Sequence, residues 1–402
     1  DLEAIALWLS EAKITTVAIE STGVYWKPLF SLLNKKGFEV YLVNSRQTKN
    51  VSGRKNDEDD AMWIQKLHSC GLLKSSYLPD DQQEALRTLV RYRHSLVQDC
   101  SRFKNRMQKS LELMNIKFQT LFSDISGKTS IAFIEAILAG ERNPRNFLPL
   151  VDKRIKATEE EILQSLEGNW RTEHLFTLSQ SYEMNKIYLQ KIADCDKAIE
   201  ERLQCYAAFT NDGEITVEVK NQQPEKKIKK KKHRSSPKID IGSYLQQIYK
   251  VDVLEIYGLS EMGGLEILAE TGADLSKWPT VGHFKSWLNL CPNNKISGGK
   301  LISSKLLKKK PNAASQAFRI AANTVQRSDH WLGDYFRRMK NKGGNKFAVV
   351  ATANKIATIF YTMVTQKKDF KPVDLETYQQ KYKKAKIAFY EKKLMELKRQ
   401  AA

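Results

Sequence analysis

Two hydrophobic periods alternate over the first 75 residues. Ala4–Glu11 spaces its apolar residues as a helix does, Thr15–Ile19 (TTVAI) is a short β-branched run, Lys27–Asn34 returns to helical spacing, and Glu39–Val43 (EVYLV) is a second run of strand type. Helices and buried strands in this alternation predict an α/β layer with parallel strands. A helix precedes the first strand, whereas such layers open on strands, so the sequence reads as incomplete at its N-terminus.

From Asp81 to Gln204 the period is helical, and Gln82–Met114 and Tyr182–Leu203 contain neither proline nor glycine. Leu86, Val90, Tyr92, Leu96 and Phe103 form an apolar stripe; Arg87, Arg91, Arg93, Arg102, Lys104 and Arg106 occupy the other faces. Those cations are either a solvated face or a row that tracks phosphates. Gly127, Gly140 and Pro144 make Phe122–Arg145 read as a turn-rich connection. Residues 210–240 are polar and of low complexity, and read as a flexible linker. Helical spacing resumes at Ile241. Within it, Ile256–Gly272 (IYGLSEMGGLEILAETG) has the form of either a helix-hairpin-helix, with a glycine turn leading into a helix N-terminus, or an ordinary corner between helices.

Composition narrows the partners. The 402 residues carry 66 Lys and Arg against 46 Asp and Glu, a net charge of +20. Seven of the basic residues fall in Lys226–Arg234, so +13 is spread elsewhere and a polyanion, by default nucleic acid, is the expected partner. No secretory signal opens the chain, and no run approaches the roughly 18 to 20 apolar residues of a membrane span, so a cytoplasmic protein without a membrane partner is expected. The five cysteines form no CxxC pair and, with the six histidines, show no zinc-ligand spacing.

Two places carry candidate chemistry. Glu20 closes the run TTVAI, at the strand end where open α/β sheets hold ligands, and Asp57 and Asp60 lie three apart at the start of a helix, on one face. Three hard oxygen donors suit Mg²⁺, although an acidic first turn is equally what helix capping asks for. Farther on, Asn293–Lys300 (NNKISGGK) sets Ser297 before two glycines, with Lys300, Lys305 and Lys308–Lys310 after them. A serine in a basic, glycine-rich loop is a nucleophile for phosphorus if activated, and otherwise simply a turn; the spacing of a phosphate-binding P-loop is absent.

AIESTGVYWKPL (18–29), LVNSRQTKNVSGRKNDEDDAMWIQKL (42–67), GLLKSSYLP (71–79) and LRTLVRYRHSLV (86–97), followed by ILAETG, FKSWLNLCPNNKISGGK and GGNKFAVVATANKIATIFY, closely resemble transposases of the insertion-sequence 110 family. The resemblance implies an RNase H/RuvC-like α/β domain at 1–80 whose Asp-Glu-Asp-Asp set binds Mg²⁺ or Mn²⁺. It implies a helical coiled-coil region at 81–208 for oligomerisation and nucleic-acid contact, and a mainly α-helical serine transposase domain at 241–370. The linker at 209–240 and a basic C-terminal helix at 371–402 complete the organisation. Glu20, Asp57 and Asp60 match the metal set, with Lys55 and Ala61 in place around the aspartates; the first aspartate of the set is expected upstream of Asp1. Ser297 matches the nucleophile. Lys55, Arg91, Arg93, Arg102, Lys300 and Lys305 are the expected nucleic-acid contacts. The implied activity is cleavage and rejoining of double-stranded DNA through a phosphoserine link, guided by a structured noncoding RNA, in a homo-oligomer. A RuvC-like nuclease that uses water, and an inactive nucleic-acid-binding remnant, are the other readings.

Overall fold

The structure is a computed structural model that describes residues 1–401 apart from 22, 45–55, 123, 211–236 and 309–311. Lys55, Lys309, Lys310 and the run Lys226–Arg234 therefore lie outside the described residues. The chain divides into two units, Asp1–Leu78 and Pro79–Ala402.

In the first unit the order is α1 (Leu2–Glu11), β1 (Thr16–Glu20), α2 (Trp26–Lys35), β2 (Glu39–Val43) and α3 (Asp57–Ser69). The runs TTVAI and EVYLV are strands as their β-branched residues predict, paired in parallel from Thr16↔Glu39 to Glu20↔Val43. Such a pair needs a crossover, which α2 supplies. Ala6, Leu33 and Phe38 form the buried centre, with Leu9, Val17, Ile19, Leu29, Leu32 and Val40 packed around them.

The second unit is built on two long helices, α4 (Asp81–Leu113) and α8 (Thr172–Thr210). Their contacts pair Arg93 with Asp196, Cys100 with Asn185 and Ser110 with Thr177. One number rises as the other falls, so the two helices run antiparallel within the chain. Between them lie α5 (Phe118–Leu121), α6 (Lys128–Leu138) and α7 (Glu159–Ser165). They close a separate core at the far end of the pair, around Met107, Phe118, Phe133, Phe147 and Leu178. The expected turn-rich connection at Phe122–Arg145 is thus corrected: it holds an 11-residue helix with five buried residues. Gly127 sits at that helix's N-cap, and Gly140, at φ +97°, lies just beyond its last turn. Both glycines mark helix ends, not loop.

The remaining elements are α9 (Ile241–Tyr249), α10 (Glu261–Thr271), α11 (Val281–Trp287), β3 (Asn293–Ser297), β4 (Lys300–Lys305), α12 (Ala313–Thr324), α13 (Trp331–Gln366) and α14 (Leu375–Ala401). One core runs through Leu86, Val90, Leu203, Tyr206, Ile241, Leu268, Phe318 and Phe360. The near end of the α4–α8 pair and the helices from 241 onward therefore share one interior. The glycine turn before α10 is set by packing: a Cβ on Gly258, at φ +85°, would lie 2.4 Å from the Ala321 carbonyl oxygen of α12.

α13 corrects another expectation, because among the described residues it is one helix long and apolar enough to cross a membrane. Its apolar residues have a different use. Ala353, Ile356, Ala357 and Phe360 fill the shared core, and the helix breaks at Gly343 and Gly344, whose backbone is non-helical.

Candidate active site

Glu20 ends β1, half-buried and in register with Val43. Asp57 and Asp60 lie in the first turn of α3. The cap of that helix is Asn56, whose Oδ1 accepts from the Asp59 N–H at 2.7 Å, so neither aspartate serves as the cap. At the other end of α3, His68 Nε2 lies 3.0 Å from Thr16 Oγ1, and its ring meets Tyr41 edge-on at 4.8 Å. This anchors the C-terminal end of α3 at the start of β1.

The carboxylates are the hard donors that Mg²⁺ or Mn²⁺ takes. Among the described residues, no group of three His, Cys, Asp or Glu side chains is drawn together closely enough to hold a metal ion. The donor chemistry suits the cation; the gathered geometry is not formed by these residues.

Ser297 is the last residue of β3. Gly298 and Gly299, at φ +55° and +74°, join it to Lys300, the first residue of β4. Positive φ at both central positions is the type I′ turn that a two-residue hairpin requires, which is why two glycines stand there. Ser297 and Lys300 are cross-strand partners and share a face, with Cβ atoms about 5 Å apart; Ile296 and Leu301 pair on the other. The irregularity between Lys295 and Ile296 sets Ile302 outside the ladder. Apart from Ser303, the hairpin is exposed throughout. Nothing lies within 4 Å of where a Cβ on either turn glycine would stand, which leaves room for a backbone phosphate.

The foot of the hairpin is held from below. Asn289, buried and at φ +54°, donates from Nδ2 to the Leu307 carbonyl at 3.0 Å, and Arg319 Nη2 donates to the Asn289 carbonyl at 3.2 Å. Asn354 Nδ2 donates to the Leu290 carbonyl at 2.9 Å. Sequence reasoning missed these three positioning residues: Asn289 in the turn after α11, Arg319 on α12 and Asn354 on α13. Their one visible signal was that Asn289 and Asn354 lie inside the quoted C-terminal blocks.

The expected arginine contacts are placed differently. Arg93 is 4% exposed and paired with Asp196, with Nε 2.5 Å from Oδ1, so phosphate cannot reach it. Arg91 makes a two-pronged pair with buried Glu270 at 2.8 and 3.0 Å, and Arg87 reaches the same carboxylate at 3.2 Å. These side chains clamp α4 to α8 and α10. Arg102 is exposed and pairs with Asp99 one turn away at 2.7 Å. Lys300 and Lys305 are exposed on the hairpin.

A family model described as Transposase, of the DEDD type in the IS110 group, matches residues 1–116. A second, described as Transposase IS116/IS110/IS902 family, matches residues 252–337 and so includes the hairpin. No curated protein matches the chain.

Proposed function

The chain belongs to the IS110 family of transposases, and from this premise we propose that it cuts and rejoins double-stranded DNA through a covalent link to Ser297. The observation that carries the reading is the seat of Ser297, at the corner of an exposed type I′ turn with Lys300 beside it. Ser297 Oγ attacks the scissile phosphorus; the Oγ–P bond forms as the bond from phosphorus to one strand-end oxygen breaks. The serine proton passes to solvent or a nearby base, and the departing oxygen takes up a proton as a free hydroxyl. A hydroxyl from a second strand then attacks the same phosphorus and releases Ser297, so the phosphodiester is conserved. The Lys300 ammonium, on the same face of the ladder as Ser297, neutralises charge that builds on the non-bridging oxygens. The two glycines let the DNA backbone approach without a side chain in the way.

In this reading the first unit is the RuvC-like part, and Glu20, Asp57 and Asp60 would hold Mg²⁺ or Mn²⁺. When bound, the ion supplies positive charge at the phosphate. The α3 dipole places partial positive charge at the N-terminal turn where Asp57 and Asp60 stand. The net charge of +20 supports binding to DNA and to a structured guide RNA, both gripped through phosphates; in this reading the active assembly is a homo-oligomer.

The test is a covalent-adduct assay. The protein is incubated with labelled element-end DNA, guide RNA and Mg²⁺, and a DNA label that survives denaturing electrophoresis on the protein is expected. Ser297→Ala should abolish it. An adduct of undiminished yield in that variant refutes the serine role, and metal-dependent cleavage without any adduct would favour hydrolysis by water.

A further inference from the structure

The far end of the α4–α8 pair carries a cleft of about 570 Å³ that the strand-transfer reading does not use. It lies between Asn115 after α4, Arg142 and Pro144 after α6, and Glu167, Asn169 and Trp170 before α8. It is shallow and open to solvent over most of its extent.

The Arg142 guanidinium lies over the Trp170 indole, 4.7 Å from the ring centroid. Nη1 donates to the carbonyls of Ile137 at 2.8 Å and Glu141 at 2.6 Å, which holds the guanidinium over the ring. A guanidinium also offers a planar face on which a base can stack. The walls are equally constrained. Asn115 Nδ2 donates to the Glu167 carbonyl at 3.1 Å, and the Asn169 N–H donates to the Met114 carbonyl at 3.0 Å. Trp170 and Asn115 are held at φ +46° and +62°, a backbone cost of order 1 kcal/mol each that persists only where the surroundings enforce it.

The ligand class follows from what lines the cleft. Arg142 and Glu167 are its two charged lining residues and offset each other, so the wall selects for a flat face and polar edges, not for phosphate. The amides of Asn115 and Asn169 match the donor and acceptor edges of a heterocycle. Exposed Arg145 follows Pro144 at the rim, where a phosphodiester attached to such a ring would pass. We propose that this cleft takes an unpaired nucleobase of a single-stranded nucleic acid, stacked on Arg142 and read at its edge by the two asparagines.

The experiment reads binding without strand cleavage, so its outcome is separate from that of the Ser297 assay. Fluorescein-labelled 12-nucleotide RNA and DNA of one sequence, their duplexes, and adenosine monophosphate are titrated against the full chain by anisotropy and competition. Arg142→Ala should weaken both single strands at least fivefold and leave the duplexes within twofold, and Asn169→Ala, at an exposed side chain, should weaken them about threefold. Arg142→Lys should behave like the alanine variant, because it keeps the charge and loses the plane. Ultraviolet crosslinking of a 5-bromouracil oligomer should attach to the peptide containing Trp170. The ratio of RNA to DNA affinity then assigns the polymer. The proposal is overturned if Arg142→Lys binds as tightly as the parent, if single strands and duplexes weaken equally, or if adenosine monophosphate binds and neither oligomer does.

Discussion

Glu266 is a carboxyl whose surroundings oppose its charge. It lies on α10 one turn before Glu270, and burial pushes its pKa from 4.5 up to about 7; Arg93 pulls the other way, and the negative charge of Glu270 adds a smaller upward push. Arg87 and Arg91 are engaged by Glu270, and Arg93 by Asp196, so the three arginines nearby are already in use. A carboxyl raised in this way contributes stability that is fully present below pH 4.5 and is lost as pH rises to about 7. Above that the folded protein holds a disfavoured charge at a cost of up to about 3 kcal/mol. Glu266→Gln keeps the size and removes the charge. At pH 5, where about three quarters of this carboxyl is already ionised in the unfolded chain, the variant should melt only about 1 to 2 °C above the parent, and at pH 8.5 several degrees above it, at roughly 2 °C per kcal/mol. Differential scanning fluorimetry from pH 5 to 9 in constant ionic strength measures this. A melting difference that does not change with pH would refute the reasoning, as would a variant less stable than the parent at pH 8.5.

Asp196→Ala leaves Arg93 buried without its partner and should cost about 3 to 5 kcal/mol in denaturant unfolding, while Asp99→Ala, which breaks only an exposed pair, should be indistinguishable from the parent. Gly258→Ala puts a methyl group against the Ala321 carbonyl and should destabilise by on the order of 3 kcal/mol in the same assay. Gly298→Val distorts a turn that lies outside every core: the melting temperature should hold, and covalent adduct formation should fall at least tenfold.

Local chemistry was legible in the sequence, and distant pairing was not. TTVAI and EVYLV announce strands because β-branched and aromatic residues dominate both, and Ser-Gly-Gly-Lys was legible as a turn; that it closes a two-stranded hairpin, where two adjacent residues take positive φ, was not. The same glycine signal misled at Phe122–Arg145, since Gly127 and Gly140 delimit a helix in the same chemical language that marks a loop. For Arg91 and Arg93, spacing along α4 could not decide between phosphate and carboxylate, because Glu270 and Asp196 lie 179 and 103 residues away. Asn56 could be read as a helix cap from its neighbours; that Asn289, Arg319 and Asn354 anchor the hairpin foot required the packing of α12 and α13.

The shared interior gives residues 211–236 a different standing from that of a tether between domains. Leu203, Tyr206 and Ala207 before them and Ile239 and Ile241 after them sit in the same core, so the chain leaves and re-enters one body. A nick there would separate the polypeptide into two pieces without removing the interface that joins them. The position is thus a natural place to split the protein into two co-expressed fragments, or to open new termini by circular permutation.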